Sequence, residues 1–127
     1  VRAKGVERAI LVSDAVALAR MPPGVYDGGI GGQVELRADG RLSVLGTPYL
    51  AGSASSLKDC LENAVRLAGC RLDDALRMAS ANPAALLQAA GAAPQPDART
   101  VFRWDAARAR AEIAAVLIDG RVLHAAR

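Results

Sequence analysis

The sequence predicts an α/β chain that, taken as an isolated piece, makes an α+β fold, and three patterns predict it. The apolar run Ala9-Ile10-Leu11-Val12, closed by Ser13-Asp14, suits a strand buried on both faces, as in a parallel sheet. Polar and apolar residues then alternate through Gln33-Val34-Glu35-Leu36-Arg37 and again through Leu42-Ser43-Val44, with Asp39-Gly40 between them as a turn, which is the pattern of a β-hairpin. After Ser55 the apolar spacing lengthens to that of a helix.

Each element has its own local reason. Pro22-Pro23-Gly24 breaks the chain, and Val25-Tyr26 leads into a glycine cluster at Gly28, Gly29, Gly31 and Gly32. Neither GxxxxGKS/T nor GxGxxG occurs there, so the glycines read as turn and bulge formers rather than a phosphate cradle. Ser56 followed by Asp59 makes a shortened capping box. Leu57, Cys60, Leu61, Ala64, Val65 and Ala68 then share one helical face, and Gly69 is placed to end a helix over 55–68. Asp73 or Asp74 opens a second helix with Leu72, Ala75, Leu76 and Ala79 facing inward, and Asn82-Pro83 starts a short third one through Leu87. Residues 90–99 read as a loop, Thr100 to Trp104 and Ala114 to Ile118 as strands, and Asp119-Gly120 as a two-residue turn into Val122-Leu123. Two domains follow: residues 1–90, with the first strand, the hairpin and the helices, and residues 91–127, a small β element.

Composition narrows the function classes. With 127 residues the chain is too short for a whole eight-fold β/α barrel, which needs about 200 or more. The net charge is only +3, and all the basic residues except Lys4 and Lys58 are arginines interleaved with Asp and Glu, so nucleic-acid binding is disfavoured. Cys60 and Cys70 lack CxxC spacing and read as reduced structural thiols in a cytoplasmic protein. No run of about 18 apolar residues predicts a membrane span, and no leader peptide is legible. The start at Val1 suggests a cut from something longer.

Asp14 is the leading candidate for chemistry. A carboxylate just past the carboxyl end of a buried parallel strand sits where barrel and open-sheet enzymes place catalytic groups, although Asp after a strand also serves as a helix cap or turn former. The segment Leu50-Ala51-Gly52-Ser53 reads either as a close backbone approach to a ligand, with Ser53 as a donor, or as a lead into the helix. Asp39 and Asp119 belong to turns, Glu62 is spaced to pair with Arg66, and His124 reads as a surface residue. One histidine, two dispersed cysteines and scattered carboxylates do not make a metal site unaided.

Arg2-Ala3-Lys4-Gly5, Ile10-Leu11-Val12-Ser13-Asp14-Ala15, Gly24-Val25-Tyr26, Gly40-Arg41-Leu42, Leu50-Ala51-Gly52-Ser53 and the run from Ala75 to Ala84 together resemble the C-terminal third of N-acetylglucosamine-6-phosphate deacetylases, members of the amidohydrolase superfamily. The agreement covers residues 2–88, while Gly91 to Trp104 departs from the family's usual pattern. The resemblance implies a C-terminal fragment of a metal-dependent hydrolase (β/α)₈ barrel with part of a small β-sandwich domain. It implies that Asp14 ends the last barrel strand beside a divalent metal, zinc first among candidates, and relays protons during hydrolysis of the N-acetyl amide. Leu50, Ala51, Gly52 and Ser53 would line the pocket for an amino-sugar phosphate, and the helices at 55–68 and 73–90 would cover the barrel.

The family's metal-binding Glu and His residues and its phosphate-gripping groups have no counterpart here. The chain alone is therefore expected to hold no metal and to turn over no substrate. Two rival readings stand beside this one: a segment of a different amidohydrolase acting on another N-acyl compound, and a non-catalytic module that self-associates into a homo-oligomer through edges around Ala9 to Ser13. Neither nucleic acid nor membrane is expected as a partner.

Overall fold

Alternation at residues 33–44 does produce a hairpin, and it recruits one more strand. In the computed structural model, which describes residues 1–28, 32–93 and 96–126, β1 (Gly24–Asp27), β2 (Gln33–Leu36) and β3 (Leu42–Val44) form an antiparallel sheet in that order. Val34 faces Val44 and Leu36 faces Leu42 across β2 and β3. The turn between these strands uses the pair named from sequence: Gly40 sits at φ +82, and the Asp39 carboxylate accepts the Arg41 N–H at 3.0 Å. Gly28 N–H donates to Gly32 O at 2.8 Å, so these two glycines close a turn, whereas Gly29 and Gly31 lie outside the described residues.

Helix α1 (Leu57–Arg66) begins where the Ser56 and Asp59 side chains predict. Ser56 Oγ accepts the Asp59 N–H at 3.2 Å and Asp59 Oδ2 accepts the Ser56 N–H at 2.8 Å, so two of the N–H groups orphaned at a helix start are satisfied reciprocally. The helix is shorter than 55–68 because Gly69, at φ +66, reverses the chain and lets Cys70 N–H reach Ala64 O at 3.1 Å. Helices α2 (Leu72–Ala79) and α3 (Ala81–Ala89) are separated by one non-helical residue, Ser80. Asp73 and Asp74 lie in the first turn of α2, where carboxylates suit the helix dipole.

A second antiparallel sheet holds β4 (Ala98–Asp105), β5 (Arg110–Ile118) and β6 (Arg121–Ala125). Asp119 and Gly120 take φ of +47 and +75, the left-handed pair that a two-residue hairpin turn demands. Register shifts interrupt both pairings of β5, at Val101/Phe102 and at Val116/Leu117, and each marks a bulge.

Ala9 to Val12 depart from expectation. Among the described residues this stretch joins no strand ladder; Ile10 is 39% exposed and Val12 66% exposed. Apolar character favours a strand only where a neighbouring strand can take its N–H and C=O groups, and here Leu11 N–H goes to the Met78 carbonyl at 2.9 Å.

The chain divides into two compact units, Val12–Cys60 and the remainder. In the first, Val34, Leu36 and Leu42 form the core, joined by Val16, Leu18, Tyr26, Ala51 and Ala54. In the second, Leu61, Ala64 and Ala75 pack with Leu11, Val65, Leu72, Leu76 and Trp104. The first eleven residues of that unit are tied by Asn82, whose amide donates to Val6 O and to Ala9 O at 2.7 Å each, and by an Arg77–Glu7 ion pair. No helix among the described residues is long and apolar enough to cross a membrane.

Candidate functional site

The hairpin positions the segment singled out at residues 50–53. Val44 N–H donates to Tyr49 O at 2.9 Å, Ser43 and Leu50 form an antiparallel bridge, and Ala51 N–H donates to Leu42 O at 3.0 Å, so the chain runs back along β3. It then meets the stretch that carries Asp14. Ala15 and Ser53 form a parallel bridge, and Val16 N–H donates to Ser53 O at 3.0 Å. The backbone at Asp14 is therefore one residue from a partner of the Gly52-Ser53 bend.

Two unusual conformations occur at this junction. Asp14 has φ +50, which a short polar side chain tolerates better than most, and its side chain is exposed. Gly52 has φ +138, and a β-carbon there would stand 2.5 Å from Val16 Cγ1. Gly52 therefore makes a close approach to Val16 of the same chain. Ser53 Oγ accepts the Ser55 N–H at 3.2 Å and so helps turn the backbone toward α1. Leu50 is 69% exposed, and Ala51 is half-buried against the Leu42 core.

Next to this bend lies a polar cluster that sequence reading caught in part. Ser56 Oγ donates to Asp59 Oδ2 at 2.7 Å, and the Arg20 guanidinium lies 3.4 Å from the same hydroxyl. Partial burial acts to raise the Asp59 pKa, but the Ser56 hydrogen bonds and the Lys58 charge outweigh it and hold the carboxyl below the usual aspartate range. Burial and the Asp59 charge both push the neighbouring Cys60 thiol up, and both cysteines are free. Arg20 was missed because its link to Ser56 spans 36 residues and follows no local pattern.

Among the described residues no group of three or more His, Cys, Asp or Glu side chains could hold a metal ion.

No protein-family model matches the sequence. Among curated proteins it is 34% identical over 88 residues to a protein of Lysinibacillus sphaericus, covering 68% of this chain and 22% of that one. It is 35% identical over 79 residues to a protein of Danio rerio, covering 61% and 19%. Among solved structures it superposes with a TM-score of 0.71 on one from Mycobacterium smegmatis at 30% identity, over 94% of this chain and 32% of that one. A structure from Pasteurella multocida, at 22% identity and a TM-score of 0.71, shares the fold.

The chain spans about a fifth of the length of the curated relatives it matches and about a third of the solved ones. All four proteins are N-acetylglucosamine-6-phosphate deacetylases, and the chain is similar to their C-terminal part. A variant of the M. smegmatis enzyme has been solved in complex with N-acetyl-D-glucosamine-6-phosphate, and it superposes with a TM-score of 0.66 at 31% identity, over 93% of this chain and 31% of that one.

Proposed function

We propose that this chain is the C-terminal portion of an N-acetylglucosamine-6-phosphate deacetylase and that Asp14 is its contribution to catalysis. The observation that carries the reading is the Ala15–Ser53 bridge, because it sets the backbone around Asp14 alongside the Gly52-Ser53 bend that ends the Leu50-Ala51-Gly52-Ser53 segment. In this reading Asp14 ends a barrel strand completed by the rest of the enzyme. Its carboxylate accepts a proton from water as the water oxygen bonds to the N-acetyl carbonyl carbon; as the C–N bond breaks, the proton passes to the departing sugar nitrogen. The products are acetate and glucosamine 6-phosphate. Leu50 to Ser53 form part of the wall against which the sugar lies, and the exposed Leu50 side chain is available for apolar contact.

A divalent metal, with zinc the leading candidate, belongs to this reading only in the whole enzyme. The donors for it come mostly from residues that this chain lacks, and no step above is routed through it. A cytoplasmic location goes with the same reading.

The test is a chimera in which residues 1–127 replace the matching third of the M. smegmatis enzyme. The expected result is acetate release from N-acetylglucosamine 6-phosphate, reduced by about 10²- to 10⁴-fold in Asp14→Asn, with the 127-residue chain alone inactive. A folded, active chimera indifferent to Asp14→Asn overturns the assignment of Asp14, and turnover by the isolated chain overturns its dependence on the remainder.

A further inference from the structure

Arg20 has no part in the reaction proposed above, yet it lies on the stretch that carries Asp14. Val16 N–H donates to Ser53 O at 3.0 Å and Ala19 N–H donates back to Val16 O at 2.9 Å, so the chain turns soon after Asp14. Val16 and Leu18 pack against the Val34, Leu36 and Leu42 core. The turn runs into Arg20, whose backbone stands at φ +71. A long side chain is unusual in that left-handed region, which glycine enters without a β-carbon penalty.

Here the side chain has a specific contact. A hydroxyl offers one donor and two acceptor positions, and all three of Ser56 are taken. Its O–H donates to Asp59 Oδ2 at 2.7 Å, while Oγ accepts the Asp59 N–H at 3.2 Å and Arg20 Nη2 at 3.4 Å. Because the Ser56 proton points at a carboxylate held in its charged form, the hydroxyl oxygen is polarised toward the guanidinium.

The turn after Asp14 is thus held at both ends: Ser53 O takes Val16, and Ser56 Oγ takes Arg20. Ser53 Oγ accepts the Ser55 N–H at 3.2 Å, which fixes the spacing between the two holding points. The Arg20–Ser56 link joins two side chains, so a substitution can remove it without deleting a backbone bond. We propose that Arg20 is a positioning residue, which holds the far end of this turn to Ser56, keeps Val16 on Ser53, and so keeps Asp14 beside the Gly52-Ser53 bend. The proposal rests on the reading of Asp14 as the catalytic carboxylate; Arg20 acts through its placement and touches no reacting atom.

Arg20→Gly tests this, because glycine suits φ +71 and removes only the side-chain link, and Arg20→Lys restores a cationic donor where a single donor is needed. In the 127-residue chain, Arg20→Gly should speed hydrogen exchange at the Val16 amide about tenfold without lowering the melting temperature, and Arg20→Lys should reverse most of that gain. In the chimera described above, Arg20→Gly should lower kcat about tenfold with KM within about twofold, and Arg20→Lys should recover most of the loss. A turn with a merely structural role leaves kcat and Val16 exchange alone once glycine has relieved the backbone. Unchanged exchange at Val16 in Arg20→Gly, or a lysine variant as impaired as the glycine one, overturns the proposal. If Asp14→Asn lowers kcat and Arg20→Gly does not, the role of Arg20 fails alone; if Asp14→Asn is silent, the reading of Asp14 fails and takes this one with it.

Discussion

Gly52 lies so close to Val16 that a single β-carbon at position 52 would stand 2.5 Å from Val16 Cγ1, far inside van der Waals contact. The same glycine has φ +138, a region closed to most L-residues. These two constraints act at the point where the strand-like segment around Ala15 meets Ser53. Gly52→Ala is therefore expected to cost roughly 2–4 kcal/mol, combining backbone strain with an overpacked contact to a core residue. A urea titration of the two proteins checks this, and equal midpoints would show that the junction yields without cost.

Asp59 governs how the start of α1 responds to acid. Its folded pKa is lowered, so its contribution to stability is fully present above the ordinary aspartate value of about 3.9 and disappears as pH falls through the lower folded value. Thermal melts at pH 7 should show Asp59→Asn less stable by about 1 kcal/mol, the usual worth of a helix cap. At the acid end the gap between the two proteins should narrow as pH drops below 4. A gap that widens there would contradict the assigned sign.

Asn82 holds the first residues of the chain by two hydrogen bonds whose donors are both on its amide nitrogen. Asn82→Asp keeps the shape and loses both donors. The expected cost is roughly 1–3 kcal/mol, with trypsin cutting after the exposed Arg8 faster than in the parent chain. Unchanged cleavage at Arg8 would mean that the Arg77–Glu7 pair and the Leu11–Met78 hydrogen bond suffice.

Glu62 is 8% exposed and accepts the Ala111 N–H at 2.8 Å, joining α1 to the start of β5. Glu62→Gln keeps an acceptor oxygen and should be tolerated to within about 1 kcal/mol. Glu62→Leu leaves the Ala111 N–H unanswered and should cost roughly 1–3 kcal/mol, with faster hydrogen exchange at Ala111. If both substitutions behave alike, the hydrogen bond contributes little.

Local signals in the sequence proved sufficient where the partners are neighbours. Ser56 with Asp59, Asp39-Gly40 and Asp119-Gly120 each state a cap or a turn within four residues, and each occurs in the structure. The hairpin was legible because its alternation places Val34, Leu36 and Leu42 on one face. What sequence could not state was partnership at a distance. Asn82 read as a helix starter, since nothing near it announces carbonyls 73 and 76 residues away. Glu62 read as one half of a helical ion pair, and its acceptor role toward Ala111 emerges only when β5 packs beside it. Ala9 to Val12 read as a strand from apolar content alone, while ladder formation depends on a neighbour. At the candidate site, the residue types were legible at Asp14 and at Gly52-Ser53, and their adjacency was not.

The bonds from Asn82 to Val6 and Ala9 also impose an order of events during synthesis. Residues 12–60 form a contiguous unit and can find all of their internal contacts as soon as that stretch has left the ribosome. Residues 1–11 precede that stretch, yet their bonds to Asn82 cannot form until residue 82 has been translated, so they dock only after the unit that follows them.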